Sequence, residues 1–99
     1  MSDEPPRDEP AEPKDWSVYV LVSERLTRTY VGIALDTDRR LEQHNGEAPG
    51  GARSTRAGRP WSLARTYGPY PDRGTAQRAE AALKRERGMA RLDWSGLAP

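Results

Sequence analysis

Five side chains in this sequence are of types that move protons or hold ions: Tyr19, Tyr30, Arg40, His44 and Glu80. A phenol or an imidazole can carry a proton, a guanidinium can fork onto phosphate oxygens, and a carboxylate can hold a divalent ion. Each also has a plainer explanation. Tyrosine packs well in strands, and His44 beside Asn45 and Gly46 suits a helix C-terminus. Arg40 follows Asp36, and Lys84 follows Glu80, at the i, i+4 spacing of surface ion pairs. A row of arginines, Arg53, Arg56 and Arg59, recurs at every third residue. Such a row is either a solvated loop or a contact for phosphates that reads no sequence.

The elements that must position these groups follow from periodicity and punctuation. "WSVYVLVS" alternates Val18, Val20 and Val22 against Tyr19 and Leu21, as a strand does. "TYVGIAL" sets Val31, Ile33 and Leu35 against Tyr30, Gly32 and Ala34. Matching the two valine-rich faces predicts an antiparallel hairpin with Val20 opposite Ile33 and Val22 opposite Val31. Both tyrosines then share the other face, which Gly32 leaves open to a close approach. Asp36, Thr37 and Asp38 open a helix of about two turns that Asn45 and Gly46 close, with Arg40 and His44 on one face. Glu47 to Pro60 reads as a Gly/Pro-rich loop, "WSLARTYGPY" as a third strand and "PDRG" as a turn. Asp72 or Thr75 then caps a helix, "AQRAEAALKRERG", ended by Gly88. Ala76, Ala79 and Leu83 form its core stripe, and Glu80 falls within that stripe. A carboxylate there is costly to bury unless a cation faces it. "MARLDWSGLAP" predicts a short helix or capping segment, and Trp16, Trp61 and Trp94 are assigned to the core.

Ninety-nine residues leave room for one domain. Residues 1–15 hold four prolines and six acids against two bases, a net charge of −4 that leaves +5 on the rest. That segment cannot bury enough apolar surface to offset ordering and is expected to be a disordered tail, with a second short tail at 95–99. A basic body suits a polyanionic partner. With no cysteine, disulfides, thiolate metal sites and cysteine nucleophiles are excluded, and a reducing cytoplasm is the expected setting. No run approaches the roughly 18 apolar residues of a membrane span, so no membrane partner is expected.

Taken in order, "Ser17-Val18-Tyr19", "Tyr30-Val31-Gly32", Arg40, "His44-Asn45", "GARSTRAGRPWSL" and Glu80 in "AEAALK" resemble the GIY-YIG nuclease superfamily, most of all its small single-domain bacterial subgroup. The resemblance implies an α+β domain over residues 16–94, a small three-stranded antiparallel sheet flanked by helices. It also implies hydrolysis of phosphodiester bonds in DNA, or RNA, in repair or processing, with one Mg²⁺ or Mn²⁺. Tyr19 and Tyr30 match the motif tyrosines, Arg40 the catalytic arginine, His44 the histidine one turn later, and Glu80 the metal ligand. Asn45, Arg53, Thr55, Arg56, Arg59 and Lys84 are expected to contact substrate. Ser17 stands where the first motif has glycine, and Ile33 where some relatives carry a lysine.

Such hydrolysis needs an activated water, a stabiliser for phosphoryl charge and help for the departing 3′ oxygen. One carboxylate suffices for Mg²⁺, which keeps several waters and takes further oxygens from the substrate. A free phenol, with a pKa near 10, is a poor base at neutral pH, so Arg40 and the metal are expected to favour the phenolate. Tyr19 is the expected base, with His44 sharing its proton or holding the phosphate. No recognition helix is evident, which favours substrates chosen by structure or single-strandedness, a separate targeting protein, and a monomer or weak dimer. Two alternatives stay open: a nucleic-acid-binding module of the same fold with little turnover, and an adaptor that presents its acidic tail to a protein.

Overall fold

The computed structural model describes residues 15–95. The acidic tail and the C-terminal tail expected from the sequence therefore lie almost wholly outside the described residues. Strand β1 (Trp16–Ser23) is the centre of a three-stranded sheet of order β2-β1-β3, with β2 (Thr29–Ala34) and β3 (Trp61–Tyr70) antiparallel on either side. Helix α1 (Thr37–His44) follows β2 and helix α2 (Arg73–Leu83) follows β3. This is the expected α+β architecture.

Alternation along β1 divides the molecule into two layers. Val18 and Val20, with Val31, face α2 and pack on Ala76, Ala79 and Leu83. Leu83 is fully buried, a contribution of about 2 kcal/mol. Tyr19 and Leu21 face the other way, with Ala34 and Trp61, beneath Leu41 of α1. The first layer is a mixed aliphatic and aromatic core that also holds Tyr70; the second holds Tyr19, with Tyr30 packed against it.

The hairpin register is two residues away from the expectation: Val20 pairs with Val31 and Val18 with Ile33. The turn explains it. The Ser23 hydroxyl accepts the N–H groups of Arg25 and Leu26 at 3.1 and 2.9 Å, and Ser23 N–H donates to Arg28 O at 3.0 Å. The chain thus reverses directly after Ser23. A shift of two preserves side-chain parity, so both tyrosines still share a face. Leu35, expected on the buried face, lies past the end of β2 and is exposed.

Both helices start at the expected acids. Asp36 Oδ1 accepts Arg39 N–H at 3.0 Å, and Asp72, rather than Thr75, caps α2 by accepting Thr75 N–H at 2.7 Å. Helix α2 stops at Leu83, short of Gly88. There Arg91, from a closing 3-10 turn (Gly88–Asp93), donates to the carbonyls of Lys84 and Glu86 at 3.2 and 2.8 Å. Of the three tryptophans only Trp61 is fully in the core; Trp16 and Trp94 are half-buried. No described helix is long and apolar enough to cross a membrane.

Candidate active site

Tyr19 projects from the middle of β1 and its ring covers Gly32 across the hairpin. A methyl group at Gly32 would lie 2.6 Å from Tyr19 Cζ. The face that glycine was expected to leave open is thus occupied by the protein's own phenol. Tyr30, on β2, stands beside it with ring centroids 6.3 Å apart. His44, in the last turn of α1, completes a triangle at 5.8 Å from Tyr19 and 4.7 Å from Tyr30.

His44 and Tyr19 are buried, and both imidazole nitrogens have partners: Tyr19 Oη at 2.8 Å from Nε2, and Thr55 Oγ1 at 3.0 Å from Nδ1. Burial, reinforced by the Arg40 and Arg59 charges, lowers the His44 pKa to about 4. The imidazole is therefore neutral at physiological pH. Burial raises the Tyr19 pKa and outweighs the lowering pull of Arg40, while Tyr30 and Glu80 add upward pushes. Arg40 does favour the phenolate, as expected, but the protein alone keeps Tyr19 protonated, because removal from water costs the phenolate more than one neighbouring guanidinium returns.

Arg40, one turn before His44, is aimed by the loop that follows. Its Nη1 donates to Gly50 O at 3.1 Å and to the Gln43 amide oxygen. It does not take up the i, i+4 pairing with Asp36. A guanidinium has five N–H groups, so Arg40 retains donors for a phosphate. On α2, Glu80 is mostly covered and pairs with Lys84 at 3.3 Å. Its charge adds a small upward push on the Tyr19 pKa.

Residues 15–92 match the GIY-YIG catalytic domain. The chain belongs to the GIY-YIG family. That family comprises nucleases that hydrolyse phosphodiester bonds, as the ordered motif implied. A Xanthomonas campestris protein named UPF0213 is 41% identical over 90 residues, covering 88% of this chain and 84% of that protein. A Cryptosporidium parvum protein named structure-specific endonuclease subunit SLX1 homolog is 45% identical over 65 residues, 65% of this chain and 16% of its own length. The Schizosaccharomyces pombe structure-specific endonuclease subunit slx1 is 42% identical over 65 residues, 63% of this chain and 24% of its own. The chain thus spans most of the bacterial relative and a quarter or less of those two endonuclease subunits.

Within the GIY-YIG site the expected residues separate into two groups. Tyr19, Tyr30 and His44 come together, with Arg40 and Glu80 near enough to act on the phenol's charge state. Arg53, Arg56 and Lys84 are exposed, and Arg56 with Arg59 lines an open hollow of about 550 Å³ beside Gln43. Asn45 and Thr55, expected to touch substrate, are instead engaged within the fold. Asn45 Nδ2 donates to Trp61 O at 2.9 Å and its Oδ1 accepts Trp61 N–H at 2.6 Å. Thr55 is fully buried against His44. Arg59, too, is partly internal, its Nε donating to His44 O at 2.6 Å. Gln43 and the Gly50 carbonyl, which orient Arg40, were missed; the only signal was Gln43 one turn after Arg40.

Among the described residues, no three His, Asp or Glu side chains cluster as a metal cage. Glu80, a single carboxylate, pairs with the half-exposed Lys84 ammonium at 3.3 Å. This fits a hydrated Mg²⁺ or Mn²⁺ that completes its shell with water and substrate oxygens.

Proposed function

We propose that this protein is a divalent-metal-dependent endonuclease that nicks DNA selected by structure or single-strandedness, in repair or processing. One observation carries the reading: two phenols and a neutral imidazole meet within 6.3 Å, with the Arg40 guanidinium weighing on the Tyr19 phenol; Glu80 is the proposed metal ligand. Tyr19 and His44, joined by a 2.8 Å hydrogen bond, form the proton acceptor for the attacking water. Arg40 forks onto the nonbridging oxygens, where a fixed cation is worth most. Tyr30, half-buried against the imidazole, orients water or phosphate. Held by Glu80, Mg²⁺ or Mn²⁺ would act as a Lewis acid for the departing 3′ oxygen. Arg53, Arg56, Arg59 and Lys84 are the proposed contacts to flanking phosphates. The likeness to endonuclease subunits supports structured DNA as substrate and a partner protein that delivers the chain to it.

The test is nicking of labelled branched, single-stranded and duplex DNA with Mg²⁺ or Mn²⁺. Wild type is expected to nick one of the first two best. Glu80→Gln should lower kcat by about 10²-fold or more while DNA binding persists. If both proteins bind DNA and neither nicks it, the chain is a binding module.

A further inference from the structure

We propose that Thr55 is a positioning residue that fixes His44 in the tautomer protonated at Nδ1, so that Nε2 draws the Tyr19 hydroxyl proton inward and leaves the phenol oxygen free to accept one from water. The catalytic half rests on the nuclease reading above; the tautomer does not.

The argument is one of counting protons. A threonine hydroxyl has a single hydrogen. Thr55 Oγ1 lies 2.7 Å from the Ala52 carbonyl oxygen, which can only accept, so the hydroxyl donates there. Toward His44 Nδ1, 3.0 Å away, it offers only a lone pair. Nδ1 must then carry a proton. A buried neutral imidazole holds just one, so Nε2 is a lone pair, and Tyr19 Oη at 2.8 Å must be the donor. The hydrogen bonds therefore run one way, from Tyr19 to His44 to Thr55 to Ala52, and end on a group with no proton to return.

Thr55 is held so that this order cannot reverse. The Trp61 indole N–H donates to its carbonyl at 2.6 Å, its own N–H donates to Ala52 O at 3.1 Å, and it is fully buried. The opposite tautomer would present Nε2–H to Tyr19. The phenol oxygen would then accept from histidine, and its own proton would have no inward acceptor.

The chemical consequence is a concerted transfer. As water attacks phosphorus, one of its protons passes to the Tyr19 oxygen while Tyr19 passes its own to His44 Nε2. The new P–O bond forms, the P–O3′ bond breaks, and the 3′ oxygen leaves with a proton from solvent. His44 is then an imidazolium that still donates from Nδ1 to Thr55. Burial disfavours this ion first and the Arg40 and Arg59 charges second; the phosphodiester's negative charge offsets the second of these, and the ion is passed through only transiently. After product leaves, the proton returns to water through Tyr19.

The sequence has a single histidine, so ¹H–¹⁵N long-range spectra of the ¹⁵N-labelled full chain report on His44 alone. At pH 7 wild type should show a protonated Nδ1 and an unprotonated Nε2. Thr55→Val, nearly isosteric but unable to accept, should change the spectrum toward Nε2–H, and Thr55→Ser should keep the wild-type pattern. In nicking assays Thr55→Val should lose about tenfold or more in kcat with little change in KM, and Thr55→Ser should recover most of it. A wild-type spectrum with Nε2–H overturns the proposal even if Thr55→Val does not fold. An unchanged spectrum in folded Thr55→Val overturns it equally. A changed spectrum with unchanged kcat overturns the catalytic half. If the spectra behave as expected and wild type nicks nothing, the positioning of His44 stands and the nuclease reading falls.

Discussion

Tyr19 can reach His44 only because residue 32 has no side chain. In Gly32→Ala the new methyl group meets the phenol ring, with 2.6 Å to Cζ, and the ring must leave its hydrogen bond to Nε2. Overpacking of this kind costs about 1–3 kcal/mol. The expected outcome is a folded protein, less stable in urea by that amount, whose kcat falls further than its stability loss explains. His44 makes a separate prediction about acid. Its folded pKa of about 4 lies below the ordinary 6.5. Between those values the unfolded chain binds a proton that the folded chain refuses, so stability is complete above pH 6.5 and falls as the pH drops through the window. The full loss is roughly 3 kcal/mol. Urea unfolding at pH 7 and pH 4.5 should show most of it in wild type. His44→Gln, measured in parallel to subtract the carboxylates, should lack that component.

At the scale of elements, the site depends on how the end of α1 is locked to β3 and to the loop between them. Asn45 ties α1 to the Trp61 backbone through both amide atoms, and Arg59 caps the His44 carbonyl. The loop presses on the same turn, since a Cβ on Gly51 would lie 2.8 Å from the Gln43 carbonyl carbon. Asn45→Ala leaves two part-buried backbone groups without partners, at a cost of about 2 kcal/mol. It should lower Tm and kcat with little change in DNA affinity. Arg53→Ala, on the exposed side of the same loop, should do the reverse: weaker binding and a shallower salt dependence with kcat unchanged. Assays of both variants separate clamp from contact. The sequence made the elements legible, because alternation in "WSVYVLVS" and capping acids such as Asp36 and Asp72 are local signals. It did not make the clamp legible. A threonine or asparagine facing inward is written with the same letters as one facing a phosphate, and what decides is a contact with Trp61 or His44 far along the chain. The register failed for a related reason, since the Ser23 hydroxyl rather than strand pattern chose where the hairpin turns. The five polar site residues were legible only as an ordered set, as each alone had an adequate structural role.

For the molecule as a whole, the two layers divide the work: the larger apolar layer under α2 supplies stability, and the layer under α1 is left to accommodate a tyrosine pair and a buried histidine. A chain of 99 residues has little surface to spare for holding a long polyanion, so its charge distribution matters as much as its site. Residues 1–15 carry −4 against +5 on the remainder. If that acidic stretch competes with DNA phosphates for the same arginines, its attachment to the same chain gives it a high effective concentration. A chain shortened to begin at Trp16 should therefore bind DNA several-fold more tightly at about 50 mM salt, and the gain should fade at several hundred millimolar as screening removes the competition. Its kcat at saturating DNA should be unchanged, because every residue proposed for the chemistry lies after Trp16 in the sequence. If shortening leaves affinity and salt slope as they were, the acidic stretch does not compete for the basic surface, and a role in holding a protein partner becomes the better explanation of its charge.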